Sequence, residues 1–341
     1  VDRALAVSAT LQDLLQQPID IDDRIITLDA SMGISIYPDH GTRPSDLMKC
    51  ADVAMYVAKR NKQAVSVYNS QNNPYDQGHL ELTRDLRTAI KRNEIGLYFQ
   101  PKVDMRSGIL VGAEALARWR HPVQGEVPPS KFVPILEQTG LIQEFTLQVL
   151  EKAVRYCKQC ERAGYEISVA VNLSVHNLRD EALPDQVEDI LAEHDLDSAR
   201  LTLEITESAV MDDYMKSIEV LGELSDMGIE LSIDDFGTGY SSLGYLKRMP
   251  VQQLKIDRSF VSDMIMNRDD AVIVRSTIDL AHNLGLKTVA EGVETEEVLA
   301  VLGEMGCDMV QGYLVSRPLP MEEFFLFLKN CDWIVESVSA A

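Results

Sequence analysis

From Leu80 onward, apolar residues recur in two alternating rhythms. Short runs rich in Val, Ile and Leu, namely LYFQPKV, ILVGAEAL, ISVAVNL, LTLEIT, IELSIDD, VQQLKI, LKTVAEG and MVQGYL, read as strands. Between most of them lie stretches with helical apolar spacing, at 145–163, 184–194, 212–227, 270–284 and 296–305. A continuous apolar run beside an amphipathic helix is what a parallel strand buried on both faces requires. Eight such runs in β/α order predict a TIM-like (β/α)8 barrel in preference to an open doubly wound sheet. No helical pattern separates the first two runs, so the barrel is expected to open with an irregular, hairpin-like strand pair.

The first 68 residues carry a shorter α/β pattern: a helix over ALAVSATLQDLLQQ, a strand over IITLDASMGISIY and a helix over SDLMKCADVAMYVAKRNK. Residues 69–79 (NSQNNPYDQGH) are polar, with Pro and Gly, and read as a linker or a helix lead-in. The organisation expected is therefore 1–68, a linker at 69–79, a barrel at 80–333 and a tail at 334–341. The chain starts on Val in the middle of a helical pattern, which suggests a fragment of a longer protein. It has no apolar run of membrane-spanning length, so no span is expected within it; attachment through a region upstream stays open.

A length of 341 residues fits one barrel of about 250 residues plus a smaller piece. The formal charge of −22 disfavours contact with DNA or RNA phosphates and with anionic lipid. That acidity either serves solubility or is gathered in part at a cation site. Five scattered cysteines make no disulfide framework and point to a reducing cytoplasm. Cys157 and Cys160 form a CxxC in a charged helical stretch, without the further ligands that a zinc site needs.

The chemistry lies where the strands end. Glu114, Asn172, Glu204, Asp234, Asp235, Lys255, Glu291 and Gln311 all fall in or just after apolar runs. A charged group inside an apolar strand is costly unless it is paired or bound to metal. Parallel strands bring their C-terminal ends to one rim, so these side chains should converge. Carboxylates with one amide, and neither His nor Cys, suit Mg²⁺ or Mn²⁺ better than zinc. The adjacent Asp234 and Asp235 would repel each other unless a cation lay between them, and two carboxylates at one strand end could serve two ions. Two-metal sites typically hydrolyse phosphate esters. Lys255 either orients a nucleophile and offsets phosphate charge, or is a structural ion pair within the acid cluster. The Gly-rich FGTGYSSL after Asp235 reads as a tight loop above the site.

These residues resemble a known family. YFQPKVD, EALARWRHP, VNLS, EITES, DDFGTGYSSL, LKIDRSFV, AEGVET and QGYLVSRPLP, from Leu80 to Trp333, are similar to the EAL domain, a bacterial cyclic-di-GMP phosphodiesterase. The resemblance implies a TIM-like barrel, often a homodimer through the barrel. It also implies opening of cyclic-di-GMP to linear pGpG with two Mg²⁺ or Mn²⁺ ions. It makes Glu114, Asn172, Glu204 and Asp234 ligands of one ion, with Asp234 and Asp235 sharing a second. Glu291 is implied as metal ligand or base, and Lys255 as the lysine that positions water. Glu207 matches the glutamate that anchors the loop after Asp235. Gln100, Leu116, Arg118 and Asp257 match substrate-contacting positions, and Glu294 and Gln311 match further polar positions of the site. No metal or catalytic position departs from the family pattern, which distinguishes the chain from relatives that bind cyclic-di-GMP as receptors without turnover. The strand-end pattern alone would also fit an unrelated Mg²⁺-dependent metabolic barrel.

The N-terminal zone resembles the C-terminal half of a GGDEF (diguanylate cyclase) domain through ASMGISIYPDHG and LMKCADVAMYVAKRN. The signature loop that would hold GTP is absent. Where the family continues toward Gly-Arg-Asn, this chain has Lys62, Gln63 and Ala64. No cyclase activity is expected from this segment.

Overall fold

The computed structural model describes residues 1–15, 19–21, 24–26, 30–60, 63–69, 77–207, 210, 214–237, 243–331 and 333. It divides into two compact units, Val1–Thr88 and Ala89–Ala341, with the boundary inside the helix Gln77–Lys91.

In the first unit, the helix Pro44–Arg60 packs on a parallel pair of short strands, Met32–Ile34 and Val65–Val67. Gly33 makes this approach possible: a Cβ there would fall 2.0 Å from Ala51 O and 2.2 Å from Met55 N. The single strand expected over IITLDASMGISIY is divided, with Arg24–Ile26 pairing antiparallel to Ile19–Ile21 and only Met32–Ile34 joining the second pair. Residues 27–29, and 70–76 of the expected linker, lie outside the described residues.

The second unit is a closed eight-stranded barrel. Its strands are β1 (Gly96–Asp104), β2 (Leu110–His121), β3 (Ser168–Leu173), β4 (Leu201–Thr206), β5 (Glu230–Phe236), β6 (Gln253–Ile256), β7 (Lys287–Glu291) and β8 (Met309–Gln311). Strands β2 to β8 run parallel in sequence order, and β1 closes the ring antiparallel to both β2 and β8. The irregular opening pair follows from the five-residue connection between β1 and β2, residues 105–109, too short for a parallel crossover. Because β1 runs the other way, its N-terminal half reaches the rim where the other strands end: Gln100 pairs with Glu114.

Helices cover the outside. The helix Ile142–Arg162 buries Phe145, Val149, Ala153, Tyr156, Cys157 and Cys160 at helical spacing, and Tyr156 stacks on Phe99 of β1 with ring centroids 3.9 Å apart. Cys157 and Cys160 are therefore core residues, and burial pushes both thiols up to about 12. The helices Leu183–His194, Tyr214–Asp226, Arg268–Asn283 and Glu296–Met305 lie where apolar spacing predicts them. The helix Pro129–Thr139 was not legible as one, with Pro at its start and Pro134 inside it. Among the described residues, no helix is long and apolar enough to cross a membrane.

Candidate active site

Side chains alternate along each strand, so one residue in two faces the barrel axis. At the rim this register brings together Gln100 of β1, Glu114 of β2, Asn172 of β3, Glu204 of β4, Asp234 of β5, Lys255 of β6, Glu291 of β7 and Gln311 of β8. Asn172 lies directly opposite Glu204, and Glu291 opposite Gln311, whereas Glu114, Glu204 and Lys255 each sit one pleat below the site residue of the next strand.

Lys255 is the hub. Its side chain is 1% exposed, and Nζ lies 2.6 Å from Glu204 Oε2, 2.7 Å from Glu291 Oε1, 3.2 Å from Asp234 Oδ1 and 3.5 Å from Glu114 Oε2. An ammonium has three N–H donors, so it cannot hydrogen-bond all four carboxylates at once. Burial favours the neutral amine, yet the carboxylates, led by Glu114 and Glu204, outweigh it and hold Lys255 protonated, well above its ordinary range.

The acids differ because their partners differ. Burial would raise Glu114, but Lys255, a 2.6 Å hydrogen bond from Gln311 Nε2 and another of 2.6 Å from Asn172 Nδ2 hold it below its ordinary value. Glu204 is fully buried, and burial pushes it up to about 7 against the pull of Lys255. Burial likewise raises Glu291 to about 8, with repulsion from Asp234 and Glu114 opposing Lys255. Asp235 rises to about 6 through burial and then repulsion from Asp234 and Asp257.

Two adjacent strand residues would normally point to opposite faces. Here the β5–β6 pairing slips between Ile233 and Phe236, and Asp235 takes a left-handed backbone with φ 54°. The turn brings the Asp235 carboxylate back to the axis side. Asp234, Asp235 and Glu291 each offer an oxygen within 4.8 Å of the others. The Asp235 N–H donates to Asp234 Oδ1 at 3.0 Å, which fixes the first carboxylate.

This donor set fits a hard divalent cation. It is all oxygen, and the four carboxylates around Lys255 outnumber its three N–H donors. Glu204 Oε1 and Gln311 Oε1, both buried, have no hydrogen-bond partner among the described residues.

Above the cluster opens a cleft of about 390 Å³, lined by Gln100, Glu114, Leu116, Asn172, Asp234, Glu291, Glu294 and Gln311. Arg258, Ser259, Ser262 and Tyr313 also line it, with Gly292 and Gly312. Sequence reading did not single these four out, although Arg258 and Ser259 follow directly on Asp257 and Tyr313 lies two residues beyond Gln311. Asp257 is half-buried and caps the helix Arg258–Val261 by accepting from Ser259 N at 2.9 Å. Arg118 is held beside the site: its NH1 donates to Ala117 O at 2.9 Å, Nε lies 3.7 Å from Glu126, and the guanidinium covers the Tyr98 ring. Glu207 is buried just past the end of β4. Residues 238–242 of the Gly-rich loop lie outside the described residues.

The EAL domain model matches residues 83–318, and the GGDEF (diguanylate cyclase) domain model matches 2–64. The chain is 42% identical over 327 residues to the bifunctional diguanylate cyclase/cyclic di-GMP phosphodiesterase MucR of Pseudomonas aeruginosa, covering 94% of this chain and 48% of that protein. It is 39% identical over 325 residues to the cyclic di-GMP phosphodiesterase NbdA of the same organism, covering 95% of this chain and 42% of that one. The chain thus spans less than half the length of either relative. Among solved structures, the PaMucR phosphodiesterase in its c-di-GMP complex superposes with a TM-score of 0.69 at 44% identity, covering 72% of this chain and 99% of that one. On this match and on the barrel that carries it, the chain belongs to the EAL domain family.

Proposed function

We propose that the barrel hydrolyses cyclic-di-GMP to linear pGpG, using two Mg²⁺ or Mn²⁺ ions held by the rim carboxylates. The observation that supports this most is the convergence of Glu114, Glu204, Asp234 and Glu291 on one buried ammonium, with Asp235 brought alongside by the bulge. Glu114, Asn172, Glu204 and Asp234 would hold one ion, and Asp234 and Asp235 a second, with Glu291 as a further ligand or base. Such ions, when bound, activate water and offset the charge that develops on the phosphoryl group.

The chain's own residues supply the rest. Lys255 sits among the ligands and positions the attacking water while remaining charged. Glu291, raised to about 8 by burial, would lose its proton to a bound cation and could then accept one from the attacking water. Water oxygen bonds to phosphorus, the P–O3′ bond breaks, and the leaving oxygen takes a proton. The product keeps a 5′-phosphate and a free 3′-hydroxyl. The cleft above the ligands, with Gln100, Leu116, Glu294 and Gln311 in its wall, receives the dinucleotide. Arg118 and Asp257 adjoin it as further substrate contacts, and Glu207 anchors the loop after Asp235. A homodimer through the barrel and a cytoplasmic location complete the reading.

Purified chain incubated with cyclic-di-GMP and Mg²⁺ or Mn²⁺ should yield pGpG on chromatography, and Glu114→Ala should yield none. Tight binding of unchanged cyclic-di-GMP under both metals would instead identify a receptor.

A further inference from the structure

Lys102 of β1 is a second lysine buried in the barrel, and the chemistry above leaves it without a role. It lies two residues beyond Gln100 and so faces the axis, opposite Gly112 of β2 on one side and Gln311 of β8 on the other. Its side chain is 5% exposed, and Nζ lies 3.5 Å from Glu204 Oε1, on the carboxylate whose other oxygen meets Lys255 at 2.6 Å. Among the described residues, Glu204 is its ion-pair partner, whereas Lys255 is shared among four acids. Glu204 Oε1 accepts no hydrogen bond among the described residues, so this lysine is what faces that oxygen.

A lysine that reaches from β1 to β4 must pass β2 and β3. The axis-facing positions below the rim on those strands are Gly112 and Ala170, both small. Gly112 is directly opposite Lys102 in the β1–β2 ladder, and a Cβ there would fall 2.4 Å from Ser168 Oγ. Burying an ammonium this deeply is costly unless it has a dedicated counter-charge.

We propose that Lys102 is a positioning residue for the divalent-ion centre: it holds Glu204 Oε1 from below, so that Oε2 is free to turn to an ion when Lys255 releases it. This rests on the metal-dependent reading of the site. Groups that orient a metal ligand typically change metal affinity by about 10–100-fold when removed. Long-range charge alone predicts the opposite sign, because deleting a cation would strengthen cation binding.

Mn²⁺ binding to the whole chain without nucleotide, followed by electron paramagnetic resonance, separates these outcomes. Lys102→Met should bind Mn²⁺ about 10–100-fold more weakly than wild type. Turnover of cyclic-di-GMP should fall at limiting Mn²⁺ and recover at saturating Mn²⁺, with KM for the dinucleotide unchanged. A purely structural role would not produce that split. Equal or tighter Mn²⁺ binding by Lys102→Met overturns the assignment. Failure of the wild-type chain to take up Mn²⁺ overturns instead the metal reading beneath it. Should Lys102→Met not fold, the wild-type Mn²⁺ complex decides. Lys102 Nζ beside Glu204 Oε1, with Oε2 on an ion, supports the role; Lys102 turned away from Glu204 refutes it.

Discussion

Replacing Lys255 with Met removes the one cation shared by four carboxylates while keeping most of the side-chain volume. Nζ lies between 2.6 and 3.5 Å from all four, and the side chain is 1% exposed, so water cannot take its place without rearrangement. Breaking a buried ion pair by removing one partner costs about 3–5 kcal/mol, because the remaining charge stays uncompensated. For a domain of this size that corresponds to roughly 6–20 °C in melting temperature. Proton uptake by the acids relieves part of the loss, so the low end belongs to pH 6 and the high end to pH 8.5. The assay is thermal unfolding of the barrel in chelator, repeated with excess Mn²⁺. At a concentration 100 times its Kd, a ligand adds about 2.7 kcal/mol. The variant should gain more from Mn²⁺ than wild type does, since the ion no longer has to displace an ammonium. A loss below about 1 kcal/mol, or a smaller metal gain in the variant than in wild type, would mean that Lys255 does not hold the four acids together.

Three further outcomes follow from the same geometry. In chelator, the melting temperature should fall as pH rises from 5 to 8.5. Glu204 and Glu291 stay protonated in the fold up to about 7 and about 8, so their contribution is full below the ordinary value of 4.5 and lost above the folded values. Glu114 and Asp308, held below their ordinary values, act at lower pH and do not enter that window; a melting temperature that rises across it would contradict the assignment. Asp235→Asn keeps a residue tolerant of φ 54° but removes one carboxylate, and titration should show Mn²⁺ stoichiometry falling from two to one. Asp308, at the opposite end of the barrel, accepts from Thr288 N at 2.7 Å and Thr288 Oγ1 at 2.9 Å and pairs with His282 Nε2 at 2.9 Å. Asp308→Ala should therefore lower stability by about 1–3 kcal/mol in denaturant titration while leaving kcat per folded molecule unchanged.

The fold was legible because buried parallel strands cannot hide. Each run such as ISVAVNL or LTLEIT must be apolar on both faces, and the polar residue that ends it stands out. The same contrast exposed Glu114, Asn172, Glu204 and Asp234. Lys102 escaped notice because it sits in LYFQPKV among residues of mixed character, and its depth depends on β1 running antiparallel. The reach of Asp235 back to the axis depends on a bulge that no local spacing announces. The family resemblance makes Arg118 a substrate-contacting position but does not reveal that Tyr98 and Glu126 hold it in the structure. The helix Pro129–Thr139 was hidden because Pro134 reads as a breaker, although the chain carries it within the helix.

Anomalous diffraction from crystals grown with Mn²⁺ and cyclic-di-GMP tests the two-ion centre most directly. One peak is expected among Glu114, Asn172, Glu204 and Asp234 and a second between Asp234 and Asp235, with Lys255 Nζ withdrawn from at least two of its four acids. Manganese absent from that rim while the dinucleotide fills the cleft, or manganese bound only elsewhere on the barrel, would contradict it.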